Sequence, residues 1–211
     1  MEKFEEMSLL LQKGKAKDLV ALINEQLAEG VTAVDILNNS LIAGINVVGE
    51  KFKLNQVFVP EVLIAARAMN MALQILKPLL QQSGAPSQGK AILCTVKGDL
   101  HDIGKNLVKI MMEGNVIEVV DLGVDCGSDK IIDAVKTTGA KLVCLSALLS
   151  TTMVNQKTII DDLKAAGLRD QVKVMVGGAP VTPEFAAQIG ADAYTDDAAS
   201  AAAKALELLK M

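Results

Sequence analysis

Four short stretches of this chain are mostly apolar and strand-like: Ala91–Val96, Val116–Val120, Leu142–Ser146 and Val172–Val176, with a weaker one at Ala193–Tyr194. A strand without alternation must be buried on both faces. Helical spacing fills the gaps, near 103–113, 128–138, 153–166, 182–189 and 197–210. Repeated strand–helix units of this kind close as a parallel sheet covered by helices on both sides. In such sheets ligands bind outside the carboxyl ends of the strands. Functional residues should therefore cluster just after the strands.

The first 82 residues follow a different rhythm. Apolar residues recur at three and four, which predicts helices over 2–12, 16–29, 32–53 and 60–82. Thr32 with Asp35 resembles a capping box, and Pro60 with Glu61 suits a first helical turn. Pro78 is expected to kink or end the fourth helix early. Ser83–Gly89 is polar and rich in breakers, so the domain boundary is placed there. The expected architecture is α/β: a helical bundle over 1–82, a linker at 83–89, and a Rossmann-like (flavodoxin-like) domain over 90–211.

Composition narrows the function. Trp is absent, Tyr occurs once and Phe four times, so aliphatic residues and the nine Met must build the core. With a net charge of −4 and no basic cluster, nucleic-acid binding is not expected. No apolar stretch is read as approaching the length of a membrane span, and the N-terminal Met1–Glu6 does not read as a signal peptide. The cysteines Cys94, Cys126 and Cys144 are widely spaced; Cys94 and Cys144 fall in strand-like runs and read as buried thiols. These features point to a cytoplasmic chain.

The only histidine, His101, lies in Gly98-Asp-Leu-His-Asp-Ile-Gly104, just after the first strand. Ser146-Ala-Leu-Leu-Ser-Thr-Thr152 follows the third strand and Gly177-Gly178-Ala-Pro the fourth. A lone histidine is commonly a packing or surface residue. Here Asp99 stands two positions away, as fits an imidazole ligand whose other N–H is held by an acid. Asp99 could instead cap the next helix, although Asp102 lies nearer its start. Ser146, Ser150, Thr151 and Thr152 could be helix caps, and the glycines could simply permit turns. One His with scattered Cys cannot close a four-ligand zinc site. A metal held by one protein ligand takes its others from elsewhere, as a macrocycle provides.

The combination Asp99-x-His101-x-x-Gly104, Ser146-x-Leu148 and Gly177-Gly178 resembles the cobalamin-binding domain of methionine synthase and its relatives. Upstream, Gly44-x-x-x-Val48-Gly49-x-x-Phe52 and Phe58-Val-Pro-Glu-Val62 resemble the helical cap over the corrin's upper face. The matches span about residues 30–200, and the layout resembles the small corrinoid proteins of methanogens and acetogens. The resemblance implies a cobalamin or related corrinoid whose lower base leaves cobalt, with His101 as the metal ligand, Asp99 as its partner and Thr152 ending the relay. It implies cofactor contacts from Gly98, Leu100, Asp102, Ile103 and Gly104. Ser146, Leu148 and Ser150 would line the channel for the nucleotide tail, where Gly177, Gly178 and Ala198 permit close approach. Phe52, Val59 (a Leu in many relatives) and Val62 fall on the cap. Asn39 stands where relatives often carry an acid.

The same resemblance implies a methyl-carrying subunit that is not catalytic alone, passing through a methylcobalamin form during turnover. Its partners would be a substrate-specific methyltransferase, a second methyltransferase serving tetrahydrofolate or coenzyme M, and a reductive activase, with no nucleic acid and no membrane. Alternatives are a cobalamin-dependent sensor, a mutase subunit using adenosylcobalamin, and a flavodoxin-like domain without a corrin. The last would be colourless when purified.

Overall fold

A computed structural model of the protein describes residues 2–82 and 88–211, without the side chains of 81 and 82. The chain divides into two compact units, Met1–Pro86 and Ser87–Met211. Residues 83–87 of the expected linker lie outside the described residues.

The first unit is helical: α1 (Glu2–Gln12), α2 (Ala16–Ala28), α3 (Ala33–Ile36), a π-helical segment (Leu37–Ile42), α4 (Ala43–Lys53) and α5 (Val59–Gln82). Thr32 caps α3, its hydroxyl oxygen accepting from the Asp35 N–H at 3.1 Å. The stretch expected as one helix over 32–53 widens at its middle. There the buried Ser40 hydroxyl donates to the Ile36 carbonyl at 2.5 Å, and hydroxyl bonding one turn back is a known cause of helix distortion.

Helix α5 corrects two expectations. It continues through Pro78. Pro78 and Gln74, whose carbonyl the missing N–H strands, are both exposed, so water can satisfy that carbonyl. Also, Val59–Leu80 is long and apolar enough to cross a membrane by length and composition, contrary to the reading that no stretch approaches that length. Its buried residues Val62, Ala65, Ala66, Ala68, Met69, Ala72, Leu76 and Leu80 follow the three–four spacing of a helix packed into a bundle. Arg67 lies on the exposed side.

The second unit is a five-stranded parallel sheet in the order β2-β1-β3-β4-β5. The strands are β1 (Lys90–Val96), β2 (Glu118–Cys126), β3 (Leu142–Ser146), β4 (Lys173–Gly177) and β5 (Ala193–Tyr194). The helices are α6 (Ile103–Gly114), α7 (Ser128–Thr138), α8 (Ser150–Ala165), α9 (Pro183–Ile189) and α10 (Ala198–Leu209). Ile92, Cys94, Val143, Leu145, Val174 and Val176 form one core with Ile131 and Val135 of α7 and Ile159, Ile160 and Leu163 of α8. Helices α6 and α10 pack on each other; α6 also contacts β1, and α10 contacts β3 and β4. Each such fully buried aliphatic side chain contributes about 1.5–3 kcal/mol by leaving water. All three cysteines are buried and free.

Strand β2 departs most from expectation. It starts at Glu118, two residues later than predicted, because Val116 is in a left-handed turn at φ 62°. It then runs on to Cys126 through Asp121 and Gly123, residue types that weaken a strand pattern. Asp121 is there for a reason. The ammonium of Lys105, buried in the first turn of α6, donates to its two carboxylate oxygens at 2.8 and 3.0 Å. Burial alone would raise the Asp121 pKa. The hydrogen bond from Lys105, the Gly123 N–H and the charges of Lys105 and Lys109 outweigh it and hold that carboxyl below its usual range. Asp121→Ala leaves a buried ammonium without its carboxylate and is expected to cost about 3–5 kcal/mol in denaturant unfolding of the apoprotein. Because the native pKa is depressed, this contribution is fully present above the ordinary aspartate value of about 3.9 and fades as pH falls through the native one. The wild-type and variant curves should therefore converge in acid.

Candidate functional site

The strand order reverses direction between β1 and β3, which leaves a crevice at the carboxyl ends of those two strands. Segment 97–102 leaves β1 there, and residues 147–149 leave β3. Asp99 is fully buried between them. Its Oδ1 accepts from the His101 ring Nδ1 at 2.7 Å and from the His101 N–H at 3.1 Å. Its Oδ2 accepts from the Leu148 N–H at 2.8 Å and from the Thr152 hydroxyl at 2.6 Å. Burial pushes the Asp99 pKa up, but the donors Thr152, Leu148 and His101 together overcome it and hold the carboxyl well below the usual carboxylate range. An ionised carboxylate only accepts. The imidazole proton therefore sits on Nδ1, and the Nε2 lone pair is left for a ligand.

His101 is held at its backbone as well. The hydroxyl of Thr95, buried in β1, donates to the His101 carbonyl at 2.8 Å. The Asn155 amide on α8 donates to the Lys97 carbonyl at 2.7 Å. Yet the imidazole itself is 50 % exposed; Leu100 (71 %) and Ile103 (79 %) on its own segment, and Leu148 (43 %) and Leu149 (43 %) on the segment after β3 that bonds Asp99, are exposed apolar residues. Apolar side chains left in water around one fixed nitrogen donor suit a large flat ligand that covers them.

The hydroxyl row does not cap α8. Leu149 takes the cap position without a side-chain cap bond, and Ser150, Thr151 and Thr152 form the helix's first turn. Thr152 alone of the three turns inward to Asp99; Ser150 and Thr151 are exposed. Ser146 ends β3 in register with Thr95 on one side and Gly177 on the other. Asp102 precedes α6 at the cap position, but its carboxylate accepts from the Asn106 side chain at 3.0 Å and caps no backbone N–H.

The glycines divide into two kinds. A Cβ on Gly178, at φ 124°, would lie 1.8 Å from the Ala147 carbonyl oxygen, so the protein's own backbone occupies that space. Gly98 needs its positive φ of 80° to turn the chain toward Asp99. By contrast, a Cβ on Gly104 would meet nothing within 4 Å, and its φ is not positive. No packing in this unit requires glycine there, whereas a ligand lying against the helix start would. Ala198 is buried in the first turn of α10. In the helical unit, Phe52 is half-buried on α4, Val59 is exposed at the start of α5, and Val62 is fully buried in the bundle. Asn39 is exposed on the π segment.

Sequence reading missed Thr95, Asn155 and Gln156. The Gln156 amide nitrogen donates to the Leu145 and Gly177 carbonyls at 3.0 and 3.1 Å, joining the ends of β3 and β4. A polar residue in the apolar run of β1 was a usable signal for Thr95; Asn155 and Gln156 carry none. Among the described residues, no three His, Cys, Asp or Glu gather into a metal-binding cluster.

A family model described as a B12 binding domain matches residues 89–205, and a second B12 binding domain model matches residues 3–77. The chain belongs to the B12-binding domain family. It binds cobalamin or a related corrinoid, and the exposed His101 nitrogen, its apolar surround and the open space at Gly104 fit that group. Among B12-binding relatives, the trimethylamine corrinoid protein of Methanosarcina barkeri is 44 % identical over 183 residues, covering 86 % of this chain and 84 % of its own. Monomethylamine corrinoid protein 2 of Methanosarcina acetivorans is 38 % identical over 99 % of this chain and 98 % of its own. Of solved structures, a cobalamin-binding protein from Desulfitobacterium hafniense matches with TM-score 0.84 at 29 % identity, over 97 % of this chain and 98 % of that one. A chain of the methanol:cobalamin methyltransferase complex from M. barkeri matches with TM-score 0.83 at 28 % identity, over 99 % of this chain and 80 % of that one.

Proposed function

We propose that this chain carries a methyl group on a bound corrinoid between two methyltransferases in the cytoplasm. One takes the methyl from a small methylated substrate, and the other passes it to tetrahydrofolate or coenzyme M; a reductive activase restores the carrier. One observation supports this most directly: a half-exposed imidazole whose Nδ1 is fixed by a fully buried carboxylate. The cobalt of a bound corrinoid supplies the nucleophile for the incoming methyl and the leaving group for the outgoing one.

The residues of the chain divide the remaining work. His101 Nε2 would hold the cobalt of a bound corrinoid. Asp99 keeps the proton on Nδ1, while Thr152 and the Leu148 N–H keep that carboxylate charged and still. Leu100, Ile103 and Leu148 give the ring an apolar seat, with Gly98, Asp102 and Gly104 lining its edge. Ser146, Ser150, Gly177, Gly178 and Ala198 form the walls for the displaced nucleotide tail. From the helical unit, Phe52 and the exposed Val59 would contact the corrinoid, while Val62 is fully buried within that unit. In this reading 1–82 and 90–211 act as two domains joined at 83–89.

Named relatives bear on the donor. Corrinoid proteins for tri-, di- and monomethylamine are 38–44 % identical to this chain, against 28 % for the methanol complex. A methylated amine is therefore the favoured donor class. The test uses the reconstituted, reduced holo-protein with donor methyltransferases for each amine and for methanol, and isotope-labelled methyl substrate. Label is expected to travel with the protein-bound corrinoid in an amine assay. A holo-protein with His-ligated spectrum that accepts label from none of them would sink the carrier reading.

A further inference from the structure

The segment bearing Asp99 and His101 is gripped from a second side. Between Cys94↔Gly123 and Val96↔Cys126 the β1–β2 ladder slips, so that Val124 and Asp125 stand opposite the single residue Thr95. Such a bulge re-aims a side chain at the end of a strand. Here the re-aimed residue is Asp125, in the left-handed region at φ 51°, a conformation that only Gly, Asn and Asp adopt with ease. Its Oδ1 accepts from the Gly98 N–H at 2.7 Å, and its own N–H donates to the Asp99 carbonyl at 3.0 Å. The Gly98–Asp99 dipeptide is thus clamped from β2 at the peptide groups on either side of it, while the Asp99 carboxylate is clamped from β3 and α8 by Leu148 and Thr152. Thr95 and Asn155 anchor the segment at the His101 and Lys97 carbonyls; between those anchors Asp125 is what holds the Gly98 N–H and the Asp99 carbonyl from β2, and its loss lets that stretch shift and carry His101 with it.

We infer that Asp125 is a positioning residue for His101: its carboxylate oxygen on Gly98 sets where the imidazole stands. This rests on the reading of His101 as the cobalt ligand. It also explains the bulge, which costs the ladder a regular pairing and delivers an acceptor to the Gly98 N–H.

Two substitutions separate this role from a merely structural one. Asp125→Gly keeps the left-handed backbone and relieves its strain, so the fold is retained while the acceptor is lost. Asp125→Asn keeps an acceptor oxygen and tolerates the same backbone. Titrating the apoproteins with cobalamin, the Gly variant should bind about tenfold more weakly, with a smaller His-ligated share of the absorbance spectrum. Its apoprotein should melt no lower than wild type. The Asn variant should stay within about twofold of wild type, because the hydrogen bond survives. In the apoproteins, the Gly98 amide should exchange hydrogen faster in the Gly variant alone. Wild-type binding and spectrum in the Gly variant would overturn the inference, as would a binding loss that tracks a lowered melting temperature, or an equal loss in the Asn variant. If His101→Ala leaves the spectrum unchanged, it is the ligand reading that fails; the Gly98 exchange rate then still reports on the clamp.

Discussion

His101→Ala abolishes the His-ligated form of the bound corrinoid: titrating the apoprotein with cobalamin gives the spectrum of a corrinoid lacking a protein nitrogen ligand. The expectation is strong because nothing can substitute. The chain has no other histidine, and among the described residues no His/Cys/Asp/Glu cluster stands in reserve. Affinity should fall by more than the roughly 10–100-fold typical of losing a residue that merely supports a ligand. Folding, in contrast, should barely change. The imidazole is half-exposed, and Asp99 keeps the donors Leu148, Thr152 and the N–H at position 101. Added imidazole should restore part of the ligated spectrum. An unchanged spectrum would remove His101 from the metal. Asp99→Asn makes a milder companion. An amide that donates to Nδ1 forces the ring proton onto Nε2, the very atom that should ligate, so the cobalt(II)/cobalt(I) potential should shift while the apoprotein stays folded.

Gly178→Ala should be the most destabilising single-methyl addition near the site. The new Cβ would stand 1.8 Å from the Ala147 oxygen and 2.7 Å from its carbonyl carbon. That backbone cannot step aside cheaply, since the Ala147 N–H donates to the Gly177 carbonyl at 3.2 Å and the Val181 N–H to the Gly178 carbonyl at 3.0 Å. The φ of 124° adds a conformation that only glycine holds without strain. A cost of about 3–5 kcal/mol is expected, a large share of the stability of an ordinary domain. Denaturant unfolding of the apoprotein measures it. A melting temperature equal to wild type would mean that the loops after β3 and β4 are not locked as drawn. The glycine pair thus serves the protein's own packing before any ligand arrives.

Elements with one strong local signal were legible. Leu142–Ser146 and Ala193–Tyr194 are strands over the expected residues, and α7 spans Ser128–Thr138 as its spacing predicts. Where local preference and tertiary demand diverge, the sequence misleads. Asp121 and Gly123 weaken the strand signal of β2, yet one is needed to meet Lys105 and the other to donate its N–H to that same Asp121. Ser150 and Thr151 suggest a helix cap, but the chain places Leu149 there so that Thr152 can face Asp99. At the site, the family resemblance singled out Asp99, His101 and Thr152, which the fold joins by hydrogen bonds. It could not show that Leu148 contributes a backbone N–H, nor that Thr95 and Asn155 hold the loop, because those contacts depend on how separate strands and helices meet.

The wiring of Asp99 also sets a timetable. Its two outer donors lie 49 and 53 residues further along the chain, beyond β2, α7 and β3. A nascent chain that has emerged only through β2 already displays all of segment 98–104, yet its carboxylate has no Leu148 or Thr152 to hold it. Closing a loop of that length comes late in folding. With His101 as the proposed ligand, the imidazole would be well aimed only after β3 has docked and α8 has begun, so cofactor capture by this route would read out completed folding of the sheet's centre.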